Sequence, residues 1–314
     1  MKCLVTGAAG FIGNSLVKRL VEEGYEVKGL IHKQRPENYV EKVEYVNGDV
    51  TQLDSIRPLV KDIDFVFHCA AMVRDYGPKN IFYKVNFEGT KNLVQSCEKF
   101  GIKKFVFLSH INYTQDKKSG YYSETKALAE QYLLEKYKKN QFPVVIIRPG
   151  NVYGPGATTW VLRPLKAIQK KRISLIDNGN GIFLHTHIDN LLDALIAALH
   201  EPKAIGEMID VTDGANSNTW GEYLNCLAEL AGKPKIKRNM SKRTALLIAR
   251  IMLFLNKIFR VEPWVTPMAV NVFTNREEVS IEKAKSLLGY EPQVDYDEGM
   301  KQVENWLRGK KLIS

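Results

Sequence analysis

The sequence is poor in cysteine and has no long apolar run. Its 314 residues include four cysteines, and no two of them form the C-x-x-C spacing of a zinc site or redox motif. The longest apolar stretch, residues 245–255, is interrupted by Arg250 and falls short of the about 20 residues of a membrane-spanning helix. Internal repeats and low-complexity segments are also missing. The apolar fraction of 45% and the charged fraction of 25% instead indicate a globular chain with a sizeable core.

One segment of the chain lacks acidic residues altogether. The sequence has 45 Lys and Arg against 35 Asp and Glu, a net charge of +10, and nine of the basic residues lie in residues 231–260. Arg243, Arg250 and Lys257 recur every seven residues, which predicts a basic stripe along an otherwise apolar helix. The segment shows no nucleic-acid-binding module, in which basic residues are spread among base-stacking aromatics or accompany a reading helix, so we expect no nucleic-acid partner. Residues 242–260 either touch a membrane surface peripherally or form a core helix with a solvated polar face.

The beginning of the sequence favours a cytoplasmic protein. Met1 and Lys2 lead directly into the apolar run Cys3-Leu4-Val5, without the separate charged and apolar regions of a signal peptide. Scattered single cysteines are also typical of a reducing compartment. We therefore expect a cytoplasmic location with reduced thiols.

Short β-branched runs alternate with helical patterns in the first half of the chain. The predicted strands are Lys2–Thr6, Glu26–Ile31, Val43–Asn47, Asp64–His68, Lys104–Ser109 and Pro143–Arg148. The predicted helices are Asn14–Glu23, Leu53–Lys61, Asn86–Phe100 and Ser123–Asn140. This alternation predicts an α/β fold with a doubly wound parallel sheet, the Rossmann fold.

The second half of the sequence predicts a smaller lobe. Residues 1–150 are expected to form a dinucleotide-binding domain, and residues 151–314 mainly a substrate-binding lobe. Within the second range, about 183–215 is expected to return to the first sheet through a strand at Glu207–Val211. The run D-N-G-N-G at 177–181 predicts a hairpin turn between two short strands.

Three glycines follow the first strand in the pattern G-x-x-G-x-x-G, at Gly7, Gly10 and Gly13. Glycine lets the backbone turn tightly and approach a pyrophosphate, and the next helix offers free N–H groups at its N-terminus. We therefore expect a dinucleotide site that also includes Phe11 and Ile12.

The end of the second strand lacks the carboxylate that holds the ribose 2′-hydroxyl of NAD in this kind of fold. His32 and Lys33 stand there, with Arg35 just beyond. These basic side chains favour the 2′-phosphate of NADP over NAD, the other interpretation being a solvated basic loop.

A tyrosine and a lysine four residues apart share one helix face and can couple in proton transfer. The pattern Y-x-x-x-K occurs three times, at Tyr113/Lys117, Tyr122/Lys126 and Tyr132/Lys136. The first pair falls in a polar loop, and the third lies about 15 Å further along the helix. Tyr122 opens the helix after the fifth strand, at the carboxyl edge where ligands bind, so this pair is the predicted catalytic one.

Taken together, the motifs resemble those of the extended short-chain dehydrogenase/reductase family. The shared motifs are T-G-x-x-G-x-x-G at 6–13, G-D-V at 48–50, H-C-A-A at 68–71, N-x-x-G-T at 86–90, Y-x-x-x-K at 122–126 and R-P-G-N-V-Y-G-P at 148–155. The resemblance implies that Tyr122 is the general acid/base and that Lys126 lowers its pKa while binding the nicotinamide ribose. The other implied cofactor contacts are Asp49, Val50, Ala70, Ala71, Asn86, Gly150, Asn151 and Val152.

The third catalytic group departs from the family pattern. Where the family has Ser-Ser or Thr-Ser after the fifth strand, this chain has Ser109 followed by His110. We assign Ser109 to orienting the substrate oxygen. His110 occupies the aligned position of the usual serine and could donate the same hydrogen bond.

The resemblance leaves the reaction open among three functions. Residues 70–78 and 263–267 look like those of 3β-hydroxysteroid dehydrogenase-like and sterol 4-carboxylate 3-dehydrogenase-like members, which implies an NAD(P)-dependent oxidoreductase. Its substrate would be a secondary alcohol or ketone of a bulky, apolar, sterol- or isoprenoid-like molecule. The alternatives are a nucleotide-sugar 4-epimerase or dehydratase with bound NAD, which residues 148–155 resemble more closely, and a non-catalytic dinucleotide sensor. The family also implies a homodimer through the helices at 86–100 and 123–140.

The motif His185-Thr186-His187 is the nearest approach to a metal-binding pattern. No cysteine or acidic ligand accompanies it at a suitable spacing, so we expect no metal. Asp189 is expected to be the N-cap of the next helix.

Overall fold

A parallel sheet forms the centre of the molecule. The computed structural model describes residues 1–33, 36, 38–112, 120–214 and 218–313. The strands of the main sheet are β1 (Lys2–Thr6), β2 (Glu26–Ile31), β3 (Val43–Asn47), β4 (Phe65–His68), β5 (Lys104–Leu108), β6 (Val144–Pro149) and β10 (Met208–Val211). Within the described residues they lie in the order β3–β2–β1–β4–β5–β6–β10, all parallel. The predicted doubly wound sheet is confirmed, and its order reverses between β1 and β4, where such folds bind ligands.

Helices cover both faces of this sheet. One face packs against α1 (Phe11–Glu22), α7 (Ile188–His200) and α11 (Glu282–Leu288), and the other against α2 (Leu53–Ile56), α4 (Gly89–Phe100) and α5 (Tyr121–Asn140). The short helix α3 (Lys79–Phe82) runs through a wider turn at Tyr83–Glu88 into α4. Because both faces are covered, β4 and β5 are buried throughout, as expected for central parallel strands.

The alternation of side chains along β5 decides which residues face the active-site helix. Val106 and Leu108 join the core on the α1 side, whereas Phe105 and Phe107 join the core beneath α5. The carboxyl end of β5 therefore brings the ring of Phe107 directly under the beginning of α5.

The second lobe has a core of its own that is rich in aromatic rings. Tyr153, Phe183, Trp220 and Tyr223 are fully buried in it. Its elements are β7 (Asn151–Tyr153), α6 (Arg163–Gln169), β8 (Leu175–Ile176), β9 (His185–His187), α8 (Trp220–Leu230), β11 (Asn239–Met240), α9 (Lys242–Phe259), α10 (Pro267–Thr274) and α12 (Tyr296–Gly309). The division at residue 150 stays a prediction, and the main sheet takes β10 from beyond it.

The hairpin predicted around residues 177–181 is wrong. β8 pairs in parallel with β11, some 60 residues later, while Ile182 bridges to Thr219. The side chain of Asp177 accepts the Lys242 backbone N–H at 2.7 Å, which directs the turn residues towards the start of α9. The backbone of β8 therefore forms its strand hydrogen bonds with the distant β11. The turn residues alone had predicted pairing with the strand directly after the turn.

Candidate active site

The glycine loop between β1 and α1 has no room for side chains. Gly7 has φ +70°, and a Cβ atom there would lie 2.9 Å from the backbone of Ala70. A Cβ atom on Gly13 would lie 2.2 Å from the carbonyl oxygen of Gly7. Gly10 is the N-cap of α1 and carries no side-chain cap, so the N–H groups of the first turn remain available. A tight backbone cradle with open N–H groups fits the pyrophosphate of a dinucleotide.

The two residues after Gly10 pack inwards. Phe11 contacts both the sheet core and the core of the second lobe, and Ile12 packs against the sheet core. A Cβ atom on Gly156 would lie 3.8 Å from the Phe11 ring, so the loop after β7 meets the start of α1. Phe11 thereby ties the glycine loop to the second lobe.

Basic and acidic side chains meet at the ends of β2 and β3. His32 and Lys33 are exposed directly after β2, whereas Arg35 lies outside the described residues. Asp49 is half-buried after β3 and accepts the Thr51 N–H at 2.9 Å. Burial disfavours its charge, but the hydrogen bonds from Thr51 and the nearby His32 hold the pKa of Asp49 below its ordinary value. This edge therefore offers both an anionic hydrogen-bond acceptor, Asp49, and two exposed basic side chains.

A buried chain of hydrogen bonds joins the ends of β1 and β4 to α4. His68 Nδ1 lies 2.8 Å from the Thr6 hydroxyl, and its Nε2 lies 3.0 Å from the Thr90 hydroxyl. Thr90 donates to the Asn86 carbonyl at 2.7 Å, so His68 must donate from Nε2 and accept at Nδ1. Burial lowers the pKa of His68 to about 3, so the ring stays neutral. The Thr6 hydroxyl also accepts the Ala70 N–H, which completes the chain.

The Asn86 side chain, a predicted cofactor contact, fastens the loop after β4 to α5. Its Oδ1 accepts the Met72 N–H at 2.7 Å. Its Nδ2 donates to the Met72 carbonyl at 3.3 Å and to the Thr125 hydroxyl at 3.1 Å. Thr125 stands between Tyr122 and Lys126 in the sequence, so Asn86 supports the position of both. The sequence motif indicates a cofactor contact at Asn86, and this structural role has no sequence signal.

The other small residues implied as cofactor contacts lie at the same edge of the sheet. Val50 is buried, and a Cβ atom on Gly89 would lie 2.8 Å from it. Ala70 and Ala71 follow β4 and are half-buried. Their contact with a cofactor stays a prediction.

Helix α5 carries Tyr122 and Lys126 in its first two turns. Lys126 is buried, and its Nζ donates to the Leu108 carbonyl at 2.5 Å. The same Nζ lies 3.9 Å from the centroid of the Phe107 ring. Because burial penalises the ammonium charge, the pKa of Lys126 falls to about 7. The amine can therefore change its protonation state near neutral pH.

The pKa of Tyr122 moves in the opposite direction to the one that the resemblance implies. Burial and the negative charge of Glu130 raise the pKa of Tyr122 above its ordinary value. Lys126 does not offset this in the protein chain alone, since its amine points to the carbonyl of Leu108 and is itself partly neutral. A phenolate at Tyr122 therefore needs an additional positive charge nearby.

His110 lies against Tyr122. The centroids of the two rings are 4.8 Å apart, and His110 Nε2 lies 2.9 Å from the Ser123 hydroxyl. Burial, with the charges of Lys126 and Arg148, lowers the pKa of His110 to about 3. Its Nδ1 is buried and finds no hydrogen-bond partner among the described residues. A neutral imidazole thus stands beside the predicted acid/base, and its link to Ser123 had no sequence signal.

Ser109 faces a different neighbour. Its hydroxyl is buried near the carboxyl of Glu130, without a well-formed hydrogen bond to another described residue. Burial raises the pKa of Glu130, against the opposing effects of Ser109 and Arg148. The assignment of Ser109 to the substrate oxygen stays a prediction, and the contact with Tyr122 belongs to His110.

The segment after β6 packs closely against the backbone of Leu184. A Cβ atom on Gly150 would lie 2.2 Å from the carbonyl oxygen of Leu184, and Asn151 donates its N–H to that oxygen at 2.6 Å. The side-chain nitrogen of Asn151 is buried and has no partner in the described part of the chain. Val152 is buried beside it. Asn151 therefore keeps a donor available for a bound group.

The paired histidines of the second lobe bind a carboxylate. Asp213 accepts the His187 N–H at 2.8 Å and the Asn190 amide at 2.7 Å, and it lies 2.7 Å from His185 Nδ1. The N-cap of α7 is His187, whose ring accepts the Asp189 N–H. The prediction that Asp189 caps this helix is wrong, because the imidazole of His187 already fills that position. Both histidines are engaged in holding the start of α7.

Charged side chains of the second lobe meet the loop after β4. The Tyr76 hydroxyl donates to Glu262 at 3.1 Å. Asp75 lies close to Arg163 and Thr266. The second lobe thus supplies groups of both charges to the rim beside the active-site helix.

Lys126 predicts a pH dependence of stability. A lysine whose folded-state pKa is lowered from 10.5 to about 7 binds fewer protons when folded than when unfolded between these values. Its burial thus destabilises the fold fully below the lower value, and the cost disappears as the pH rises towards the upper one. Between about pH 7 and pH 9, we expect wild type to gain roughly 2 kcal/mol relative to Lys126→Met.

Chemical denaturation of both proteins at a series of pH values measures this difference. Lys136→Met, which alters a half-buried lysine paired with Glu98, is the matched control. A difference between wild type and Lys126→Met that stays constant with pH would show that Lys126 keeps its charge when buried.

The comparisons with known proteins agree on one protein family. Residues 3–212 match the model of the NAD dependent epimerase/dehydratase family. The chain is 30% identical over 326 residues to the decarboxylating sterol-4-alpha-carboxylate 3-dehydrogenase of Mus musculus, covering 96% of this chain and 90% of the relative. It is 28% identical to a 2-alkyl-3-oxoalkanoate reductase of Stenotrophomonas maltophilia, covering 97% of this chain and 98% of the relative. An epimerase structure from Methanothermobacter thermautotrophicus superposes with a TM-score of 0.82 at 22% identity, over 99% of this chain and 93% of that one.

Proposed function

The chain belongs to the NAD-dependent epimerase/dehydratase family of extended short-chain dehydrogenase/reductase enzymes, and from this we propose that it is an NADP-dependent oxidoreductase. Its substrate would be a secondary alcohol, or the matching ketone, on a bulky, apolar, sterol- or isoprenoid-like molecule. The observation that carries the proposal is the pairing on α5 of half-buried Tyr122 with buried Lys126, whose amine donates to the carboxyl end of β5. The names of two similar proteins, a sterol dehydrogenase and an oxoalkanoate reductase, support the same reaction class.

The residues present fit a bound dinucleotide. Gly7, Gly10 and Gly13 form the cradle for its pyrophosphate, and the buried, unpartnered amide of Asn151 is a further donor. When bound, the cofactor would exchange a hydride with the substrate carbon, and its oxidised ring would add positive charge to the site. Such a charge would act against the burial that raises the pKa of Tyr122.

The protein's own part of the reaction is proton transfer at the substrate oxygen. In oxidation, the Tyr122 phenolate takes the hydroxyl proton as the carbonyl forms. In reduction, the phenol returns that proton to the oxygen. Lys126, held by the Leu108 carbonyl, can exchange a proton near neutral pH because its pKa is about 7. The neutral ring of His110 beside Tyr122 can hold the substrate oxygen by a hydrogen bond.

Replacing His110 tests which residue is the third member of the site. Because His110 contacts Tyr122, His110→Ala should lower kcat by about 10–100-fold, the value of one hydrogen bond to a developing charge. Ser109→Ala, at a residue that faces Glu130, should change kcat by less. Steady-state kinetics of both variants decide the matter. A large loss in Ser109→Ala together with normal turnover in His110→Ala would return the role to Ser109.

The cofactor preference is tested at the end of β2. We propose that NADP is favoured over NAD because His32 and Lys33 are exposed where a 2′-phosphate would lie. Lys33→Gln should weaken NADPH binding about tenfold, as for one charge-assisted hydrogen bond, and leave NADH binding unchanged. Lys138→Gln, an exposed lysine far along α5, is the control. Calorimetric titration measures both affinities, and a clear NADH preference of the wild type would refute the proposal.

A substrate panel tests the reaction itself. We expect NADP reduction with 3-hydroxysteroids or 2-alkyl-3-hydroxyalkanoates, followed by absorbance of the reduced nicotinamide. Purified protein that carries bound NAD and interconverts UDP-hexoses would show a nucleotide-sugar epimerase instead. Micromolar NADP binding without turnover on any alcohol, ketone or sugar would indicate a sensor. A homodimer through α4 and α5 and a cytoplasmic location stay predictions.

A further inference from the structure

Helix α9 buries small residues and exposes large apolar ones. Ala245 and Ala249 are fully buried against α10 and the end of β8. Seven large apolar side chains of α9 and the loop after it are 45–67% exposed. They are Leu247, Ile251, Phe254, Ile258, Phe259, Val261 and Trp264, and together we call them the apolar face. An ordinary surface helix of a globular protein has the reverse arrangement.

The helical members of the apolar face form one stripe. Leu247, Ile251, Phe254 and Ile258 are spaced by four, three and four residues, and at ~100° per residue they fall within a narrow sector. Ala245 and Ala249 lie on the opposite side of the helix. α9 has 18 residues and is about 27 Å long, and the stripe from Leu247 to Ile258 covers about 16 Å of that length. A contiguous apolar surface of this length marks an interaction site.

A row of cations runs along one side of the apolar face. Arg243, Arg250 and Lys257 are all exposed, and their spacing of seven residues shifts them by only ~20° per step. They lie next to the apolar stripe and away from the two buried alanines. No acidic residue lies between residues 231 and 260, so no counter-charge comes from the same segment. We call these three residues the basic row.

We propose that the apolar face and the basic row of α9 dock on the surface of an anionic phospholipid bilayer. An apolar stripe bordered by cations is the pattern of a helix that lies in the interface, with its apolar side chains among the acyl chains and its cations at the headgroups. No helix in the described ranges is both long enough and apolar enough to span a membrane. The arrangement thus calls for a helix lying along the surface.

A second copy of the chain fits this surface less well. An antiparallel two-fold contact through α9 would place two basic rows beside each other, with no acid from residues 231–260 between them. Nucleic acid would match the basic row but would leave the apolar side chains in water. An anionic bilayer is the one of these partners that satisfies both parts of the surface.

The docking surface adjoins the rim of the active site. α9 packs on α10, and Met268 in α10 lies 3.7 Å from where a Cβ atom of Gly120 would be, just before Tyr121 and Tyr122. Glu262, between Val261 and Trp264, accepts the hydrogen bond from Tyr76 in the loop after β4. If the proposed function is correct, an apolar substrate could pass from the bilayer to Tyr122 without entering bulk water. Docking itself does not depend on that activity.

Co-sedimentation with vesicles tests the proposal without any substrate. We expect the full chain to bind vesicles of phosphatidylcholine with roughly 30% phosphatidylglycerol, and to bind pure phosphatidylcholine at least about tenfold more weakly. The combined variant Leu247→Ser, Phe254→Ser and Ile258→Ser should lose at least about tenfold in affinity for the anionic vesicles. Phe100→Ser, which alters an exposed aromatic residue on α4, is the matched control and should bind as wild type does.

The basic row has its own matched pair of variants. Arg243→Gln, Arg250→Gln and Lys257→Gln together should weaken binding to anionic vesicles by about 100-fold and reduce its salt dependence. Lys138→Gln, Lys139→Gln and Lys301→Gln remove the same charge from other exposed positions and should have little effect. Equal losses in the two charge variants, or equal binding of wild type to neutral vesicles, would overturn the proposal.

Two further measurements distinguish a bilayer from a second copy of the chain as the partner of the apolar face. Trp264 is 60% exposed, so its fluorescence should shift to shorter wavelength on adding anionic vesicles, and Trp264→Phe should abolish the shift. The mass in solution should not change in the serine variant. A dimer that the serine variant dissociates, with no vesicle binding by wild type, would assign the face to a second copy. Since vesicle binding is measured without substrate or cofactor, its failure would leave the proposed oxidoreductase activity standing.

Discussion

Replacing Tyr122 with phenylalanine is expected to lower turnover by about 10²–10⁴-fold, the usual contribution of a positioned general acid/base. The change removes the hydroxyl that exchanges a proton with the substrate oxygen and keeps the ring that packs 4.8 Å from His110. NADPH affinity and the melting temperature should therefore stay close to those of wild type. Steady-state kinetics with the best substrate of the panel, together with cofactor titration, measure the two effects separately.

The same helix supplies a matched control for this experiment. Tyr132 and Lys136 repeat the spacing of Tyr122 and Lys126 ten residues later, but Lys136 pairs with Glu98 there. Tyr132→Phe should leave kcat within about twofold of wild type, as is usual for a surface change remote from the site. Normal turnover in Tyr122→Phe would remove Tyr122 from the reaction and show that another group exchanges the proton with the substrate oxygen.

Gly13→Ala is expected to abolish useful dinucleotide binding. A Cβ atom there would lie 2.2 Å from the Gly7 carbonyl oxygen, so the cradle must open before the chain can fold around the methyl group. Loss of two charge-assisted hydrogen bonds to the pyrophosphate would lower affinity by roughly 100-fold or more. Forcing a methyl group into this packed position should also cost about 1–3 kcal/mol of stability.

Calorimetric titration with NADPH and denaturant unfolding measure the two consequences. Gly309→Ala is the control, because a Cβ atom at Gly309 meets nothing within 4 Å. Its affinity and stability should match wild type or slightly exceed it. If Gly13→Ala bound NADPH normally while unfolding earlier, the glycine loop would have a packing role and the dinucleotide would bind elsewhere.

The strands of the sheet were predictable because each is visible in the sequence as a short apolar run. Lys2–Thr6, Glu26–Ile31 and Val43–Asn47 were predicted with the bounds that the structure shows, since each is a β-branched, apolar run between turn residues. The hairpin at 177–181 failed because the partner of β8 is Asn239–Met240, which lies far away in the sequence. A turn motif indicates which neighbouring segments can pair, whereas β8 pairs with a strand that is distant in the sequence.

The sequence predicted which residues form the candidate site, but it did not predict the pKa of Tyr122 or the direction of the Lys126 amine. The spacing of Tyr122 and Lys126 places both on one helix face, but it cannot show where the amine points. That direction is set by the Leu108 carbonyl at the end of β5, a separate element. The raised pKa of Tyr122 follows from burial, which also depends on tertiary packing.

For helix α9, too, the sequence could not show how the helix packs. The sequence predicted a basic stripe and left open whether the apolar residues face a core or a membrane. The burial of Ala245 and Ala249, with Leu247 and Phe254 exposed, is decided by the neighbours of the helix. A helical pattern identifies the faces, and only the packing shows which face is covered.

The position of β10 has a consequence for how the chain folds during synthesis. β6 ends at Pro149, but its outer neighbour β10 ends at Val211, and α7 between them covers one face of the sheet. After β6 leaves the ribosome, about 60 more residues must follow before its edge is paired. At roughly 5–20 residues per second, this strand waits about 3–12 s with unpaired backbone and an uncovered apolar face. The nascent chain is therefore most vulnerable to aggregation in that interval.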